Sequence, residues 1–227
     1  MARLHPACAE NQFVMLGIIH RDAEGERLLS GWLEQSRPAV ITLEFSPFGL
    51  DFRKANAALL KSRVCRIADE LSAEGRQVNE EAVKSVLSFI DVPAEFNILS
   101  AYAARCKVPL FLIDVDYFSY VKLKDIERLV AKENLEKLVA APPATDVRHE
   151  KTLARLFFEK GVNIVGYTDE MRVRDRFMRD KIALLRKNYT GSRFLHVCGW
   201  QHLSDPHHLY QELNPTKVFI YDKTLCI

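Results

Sequence analysis

Phe13-Val14-Met15-Leu16-Gly17-Ile18-Ile19-His20 is an apolar run that ends in an imidazole, and Phe194-Leu195-His196-Val197-Cys198-Gly199-Trp200-Gln201-His202 repeats the arrangement near the other end of the chain. Each closes on Gly-x-x-His. Apolar runs without polar alternation are expected of strands covered on both faces, the signature of a parallel sheet. Two imidazoles leaving strand ends about 180 residues apart can meet only through the fold, so the pattern points to a site that binds metal.

Four further runs rich in Val, Ile, Leu and Phe read as strands, over 39–45, 109–115, 162–166 and 217–221, beside the strands read over 13–19 and 193–198. Between them the apolar residues fall at helical spacing: Leu28, Leu29, Trp32 and Leu33; Leu60, Val64, Ile67 and Leu71; Val83, Val86, Leu87 and Ile90. This alternation predicts an α/β fold, a mostly parallel central sheet flanked by helices. Residues 48–106 hold about three helices and no clear strand, which predicts a helical insertion or cap between the second and third strands, a usual place for substrate selection. The helix breakers Asp91-Val92-Pro93 and Ala141-Pro142-Pro143-Ala144 do not resemble a domain linker, so residues 1–227 read as a single domain.

Composition narrows the function classes. With 48% apolar residues among 227 the chain can bury a sizeable core, and 32 basic against 30 acidic side chains leave a formal charge of +2. That balance lacks the basic stripe needed to grip a phosphate backbone, so nucleic acid is not an expected partner. No window approaches the ~20 apolar residues that span a bilayer and the N-terminus does not read as a signal peptide, so the expectation is a cytoplasmic protein without a membrane role. A homo-oligomer is compatible with the sequence. Five cysteines without C-x-x-C spacing read as reduced thiols, several of them buried.

In open parallel sheets ligands collect at the carboxyl ends of the strands. His20, Glu44, Asp114 with Asp116, Thr168-Asp169-Glu170 and His202 all fall at that edge of the expected sheet. Glu44 interrupts an apolar run, where a desolvated carboxylate needs a cation or several donors to compensate it. Two imidazoles and a carboxylate with one open position suit catalytic zinc, manganese, cobalt or iron, and His20, Glu44 and His202 fit that count. A glycine three residues before each His is expected to let the chain leave the strand with unusual dihedrals and a close backbone approach.

Residues 169–188 read as a helix in which Met171, Arg174, Met178, Ile182 and Leu185 share a face. A guanidinium on an apolar face needs a carboxylate or an anionic ligand. Arg174 therefore either pairs with Glu44 or Asp114 or holds a developing oxyanion. Asp114 and Asp116 are candidates for a ligand or general base, and equally for helix caps. His196 reads as a packed sheet histidine, Cys198 as a buried thiol, and His207 and His208 as a surface helix start.

Taken in chain order, Gly17-Ile18-Ile19-His20, Ile41-Thr42-Leu43-Glu44, Leu112-Ile113-Asp114-Val115-Asp116, Arg174-Asp175-Arg176-Phe177-Met178 and Cys198-Gly199-Trp200-Gln201-His202-Leu203 resemble the TraB/PrgY and TIKI group. That group belongs to a superfamily with the erythromycin esterases and ChaN-like haem-binding proteins, and the resemblance spans roughly residues 13–203. It implies an α/β fold with a sheet-edge active site, and metal-site roles for His20, Glu44 and His202 beside Arg174. TIKI members are metal-dependent proteases associated with manganese or cobalt, and TraB/PrgY members act on or block peptide pheromones. The expectation is therefore a divalent-metal hydrolase (manganese, cobalt or zinc) acting on a peptide or small-molecule amide or ester, with Glu44, Arg174 and Asp114 as catalytic candidates. The alternative is a non-catalytic protein that holds haem, a small molecule or a peptide, for which Tyr117 and Tyr120 are candidate pocket residues.

Overall fold

In a computed structural model the chain is described over residues 12–140, 147–162 and 166–221, the side chains of residues 147 and 148 excepted. It has an α/β fold with two compact units. The first contains residues 12–45, 94–115, 147–162 and 166–221, and the second contains residues 46–93 and 116–140.

The first unit is built on a parallel sheet in the order β3-β2-β4-β1-β5, with β1 (Phe13–Ile18), β2 (Val40–Leu43), β3 (Leu110–Leu112), β4 (Phe194–Gly199) and β5 (Thr216–Phe219). The register sets Gly17 beside Cys198, Ile18 beside Gly199 and Leu43 beside Val197, so β1, β2 and β4 finish at a common edge. Every residue of β1, β2 and β4 is buried, which explains why these strands read as unbroken apolar runs. The strand expected over 162–166 falls partly outside the described residues, and Val162 and Gly166 belong to no strand.

Four helices complete this unit: α1 (Ala23–Ser36), α4 (Ala94–Cys106), α8 (Val147–Lys160) and α9 (Asp169–Asn188). Asp22 caps α1 by accepting from the Gly25 N–H at 2.9 Å, and Thr168 caps α9 by accepting from the Met171 N–H at 3.2 Å, as short oxygen-bearing side chains do at helix starts. The α9 boundaries are those its apolar period predicts. Met178 and Ile182 of α9 are fully buried against Phe13, Met15, Val40, Phe194 and Cys198. This fixes the face of the sheet over which α9 lies, and Glu44, two residues on from Thr42, shares the strand period of that face.

The second unit is helical: α2 (Pro47–Ala73), α3 (Glu80–Ile90), α5 (Asp116–Leu123), α6 (Ile126–Leu129) and α7 (Lys132–Ala140). The stripe Leu60, Val64, Ile67 and Leu71 is buried with Ile90, Leu123, Ile126, Leu135 and Val139. The three helices expected over 48–106 are present but are divided. The first two join helices that follow β3, whereas α4 packs on β2, β3 and α1. Tyr117 and Tyr120 are exposed on α5, and Asp116 accepts from the Phe48 N–H at 2.8 Å within this unit. Among the described residues no helix is long and apolar enough to cross a membrane.

Cys198 is buried as expected, while Cys65 and Cys106 are exposed because both lie on outward faces of their helices; Cys8 and Cys226 lie outside the described residues. His207 and His208 form an exposed turn rather than a helix start, since His208 has φ 54 and no helix follows directly.

Ile182→Ala should destabilise the protein by about 2–5 kcal/mol, the cost of a cavity in a filled core. Leu184→Ala, at a side chain 56% exposed on the same helix, should stay within about 0.5 kcal/mol. Urea titration of both variants checks the assignment of the buried face.

Candidate functional site

Glu44 follows β2 and is buried among donors. Its Oε2 accepts from the Gly199 N–H at 2.7 Å. Its Oε1 lies 3.0 Å from His202 Nε2 and also accepts from Arg174 Nη2. Arg174 reaches it from the first turns of α9 and is itself clamped by Asp114, Nε to Oδ1 at 2.9 Å and Nη2 to Oδ2 at 2.7 Å. The remaining amino nitrogen, Nη1, lies 3.9 Å from Glu170 Oε1.

His202 lies in the 3-10 turn Trp200–Ser204 that follows β4. Its Nδ1 is 2.6 Å from Oδ1 of Asp175, a fully buried carboxylate on α9. Asp175 also accepts from the Tyr210 hydroxyl at 3.0 Å and from the Tyr167 hydroxyl. The turn is braced from α8, where Glu150 accepts from Trp200 Nε1 at 2.8 Å and Gln201 Nε2 at 3.4 Å.

His20 follows β1. Its side chain is 41% exposed, and its Nδ1 lies 2.6 Å from Oε1 of Glu95 in the first turn of α4. Its Nε2 faces Gly199: a Cβ built there would stand 3.1 Å from His20 Nε2 and 3.5 Å from Glu44 Oε2. The three residues expected to bind metal are thus gathered around Glu44 and Gly199, with Arg174 and Asp114 alongside.

The electrostatics follow from this crowding. Burial alone would raise the Glu44 pKa, but the charges of His202 and Arg174 outweigh it and hold the carboxyl well below its usual range. Burial opposes the charged form of His202, yet the Glu44 charge and the hydrogen bonds to Asp175 and Glu44 lift it to about 10. For His20 desolvation is again overcome, by the hydrogen bond and charge of Glu95 together with Glu44, and the pKa is raised. Arg174 is held more firmly protonated: burial is outweighed by Glu44 and Asp114. His196 is different. Fully buried, with Nδ1 3.0 Å from Thr42 Oγ1, it is pushed down to about 4 by burial and stays neutral as a packed sheet residue.

Neither motif glycine serves its dihedral freedom: Gly199 has φ −58 and Gly17 is not among the positive-φ residues. Close approach is the reason for both. A Cβ on Gly17 would meet Leu203 Cδ1 at 2.5 Å and Trp200 Cα at 3.0 Å, so the first motif's glycine makes room for the second motif's turn. Gly199 in turn makes room for His20. The left-handed backbone falls after each motif instead, at Arg21 with φ 63 and Asp205 with φ 37.

Among the described residues, no three His, Cys, Asp or Glu side chains already surround a common cation position. The His202–Glu44 contact and the Arg174 bridge occupy Glu44 Oε1. The donor set nonetheless suits a divalent ion, since each imidazole is anchored through Nδ1 to a carboxylate with Nε2 turned inward, the usual support of a metal-binding histidine. Glu95 and Asp175 were not among the residues the sequence singles out. For Asp175 a signal existed, because it stands four residues after Met171 and three before Met178, on the apolar stripe. No known family model, curated protein or solved structure matches the chain.

Arg174→Ala would strip buried Asp114 of its cation and leave Glu44 with His202 as its ionic partner, and should cost about 3–5 kcal/mol of stability, measurable by denaturant unfolding at neutral pH. Gly17→Ala, pressed against backbone at Trp200, should cost about 1–3 kcal/mol. Gly199→Ala should cost less, because the half-exposed His20 ring can swing away, and should instead displace the His20 imidazole resonances in an NMR spectrum.

Proposed function

We propose that this chain is a metal-dependent hydrolase of a peptide or another amide or ester bond, with His20, Glu44 and His202 holding a divalent manganese, cobalt or zinc ion. The observation that carries the reading is the convergence of two strand-end imidazoles on one buried carboxylate, each imidazole braced by a second carboxylate. When bound, such an ion supplies a Lewis acid and lowers the pKa of water to ~7, making a nucleophile available at neutral pH.

The chain's own groups divide the remaining work. Arg174 is held side-on by Asp114, which fixes its guanidinium beside Glu44, where its positive charge would meet negative charge developing on a substrate carbonyl oxygen. Asp114, with both oxygens committed to Arg174, positions that cation. Glu44, kept ionised by His202 and Arg174, would hold the ion, its Oε2 oriented by the Gly199 N–H beside His20. The resemblance to the TraB/PrgY and TIKI group supports the same chemistry, and we place the protein in the cytoplasm on the sequence reading.

Protein stripped with chelator and reloaded with manganese, cobalt or zinc should gain hydrolysis of a peptide library over the stripped form, and His20→Ala should abolish the gain. Inactivity in every metal state against peptides and simple esters, with ligand capture intact, would replace catalysis with the binding-protein reading.

A further inference from the structure

The two imidazoles are held in the same way by unrelated parts of the fold. His20 Nδ1 meets Glu95 at 2.6 Å, and His202 Nδ1 meets Asp175 at 2.6 Å. An ionised carboxylate can only accept, so in each pair the proton lies on the ring nitrogen and Nδ1 is the donor. Asp175 leaves no doubt of its acceptor role: the Tyr210 and Tyr167 hydroxyls also donate to it. Tyr210 is itself fixed, because Asp205 accepts from the Leu209 N–H at 2.7 Å and the Tyr210 N–H at 3.2 Å. Glu95 and Asp175 are both buried, where an unpaired carboxylate would be costly, and each is met by a histidine.

We infer that Glu95 and Asp175 are positioning residues that keep a proton on Nδ1 of His20 and His202, so that both rings turn Nε2 toward Glu44. Tyr167 and Tyr210 hold the Asp175 carboxylate in the orientation this requires. Part of the inference rests on the metal-site reading above, namely that Nε2 is directed at an ion. The position of the Nδ1 proton does not. The two carboxylates act on separate rings, so their effects are separable. The arrangement also makes the two ligands unequal, one ring half-exposed and held by a single carboxylate, the other buried within a carboxylate and two phenols.

The test uses protein without a histidine tag, labelled with 15N at histidine, in wild-type form and as Glu95→Gln and Asp175→Asn. In the metal-free wild type, both rings should show a downfield, carboxylate-bonded Nδ1 proton. Glu95→Gln should move only the His20 resonance upfield, and Asp175→Asn only that of His202. Zinc titration should then show each variant binding about 10–100-fold more weakly than wild type. Should Asp175→Asn fail to fold, Tyr210→Phe removes one donor from Asp175 and should shift the His202 Nδ1 proton further downfield. The inference is overturned if the wild type lacks the Nδ1 protons, or if the substitutions leave their resonances unchanged. It also fails if wild type binds zinc and both variants bind it equally well. If the wild type binds no zinc yet its Nδ1 protons respond as described, the positioning role stands and the metal site alone fails.

Discussion

Five buried or nearly buried charges alternate in sign along one line: Asp114, Arg174, Glu44, His202 and Asp175. No member could be buried alone, since an uncompensated ion in a protein interior costs several kcal/mol. Each is tolerable because the next has the opposite charge and meets it through a hydrogen bond. The line ties the end of β2 to the start of α9 and to the turn after β4, so the elements of the first unit cannot shift independently without exposing a charge to an apolar surrounding. The same close packing gives the site its chemical character, a carboxylate kept ionised and two imidazoles kept oriented.

The second constraint is steric. Parallel pairing sets β1 beside β4 in a register that places Gly17 next to Cys198 and Ile18 next to Gly199. The two Gly-x-x-His segments therefore leave the sheet side by side and must share one small volume. They do so by each giving up a side chain where the other passes, Gly17 beneath the turn carrying His202 and Gly199 beneath the His20 ring. The repeated motif is thus one structural device with two halves.

Much of this was legible in the sequence, for physical reasons. Unbroken apolar runs of strand length fit strands covered on both faces, so β1, β2 and β4 stood out, and the apolar period of 169–188 marks α9 because a helix over a sheet must bury a stripe. Glu44 and Arg174 were legible as charges in apolar settings. Glu95 was not, because a glutamate in the first turn of a helix is ordinary at a helix N-terminus and nothing in the local pattern reveals an imidazole 75 residues away. Asp175 was visible only as an acid on the apolar stripe of α9, and nothing in the local pattern reveals its partner His202, 27 residues further on. The expectation of unusual dihedrals at the motif glycines was misplaced because chain crowding, not backbone conformation, excludes a Cβ there. The division of the helical segment was hidden for a related reason: which helices share a core is decided by long-range packing of α2 and α3 with α5 to α7, and spacing within 48–106 carries no information about residues after β3.

Whether the two strand-end imidazoles and Glu44 form a cation site is decided by the metal content of tag-free protein, measured by mass spectrometry after equilibration with manganese, cobalt or zinc and removal of loose ions. A cation site built this way requires about one ion per chain in the native protein, lost from a triple variant with His20, Glu44 and His202 replaced by Ala, Gln and Ala. Equal metal content in the two proteins, or none in either at any of the three metals, would contradict it.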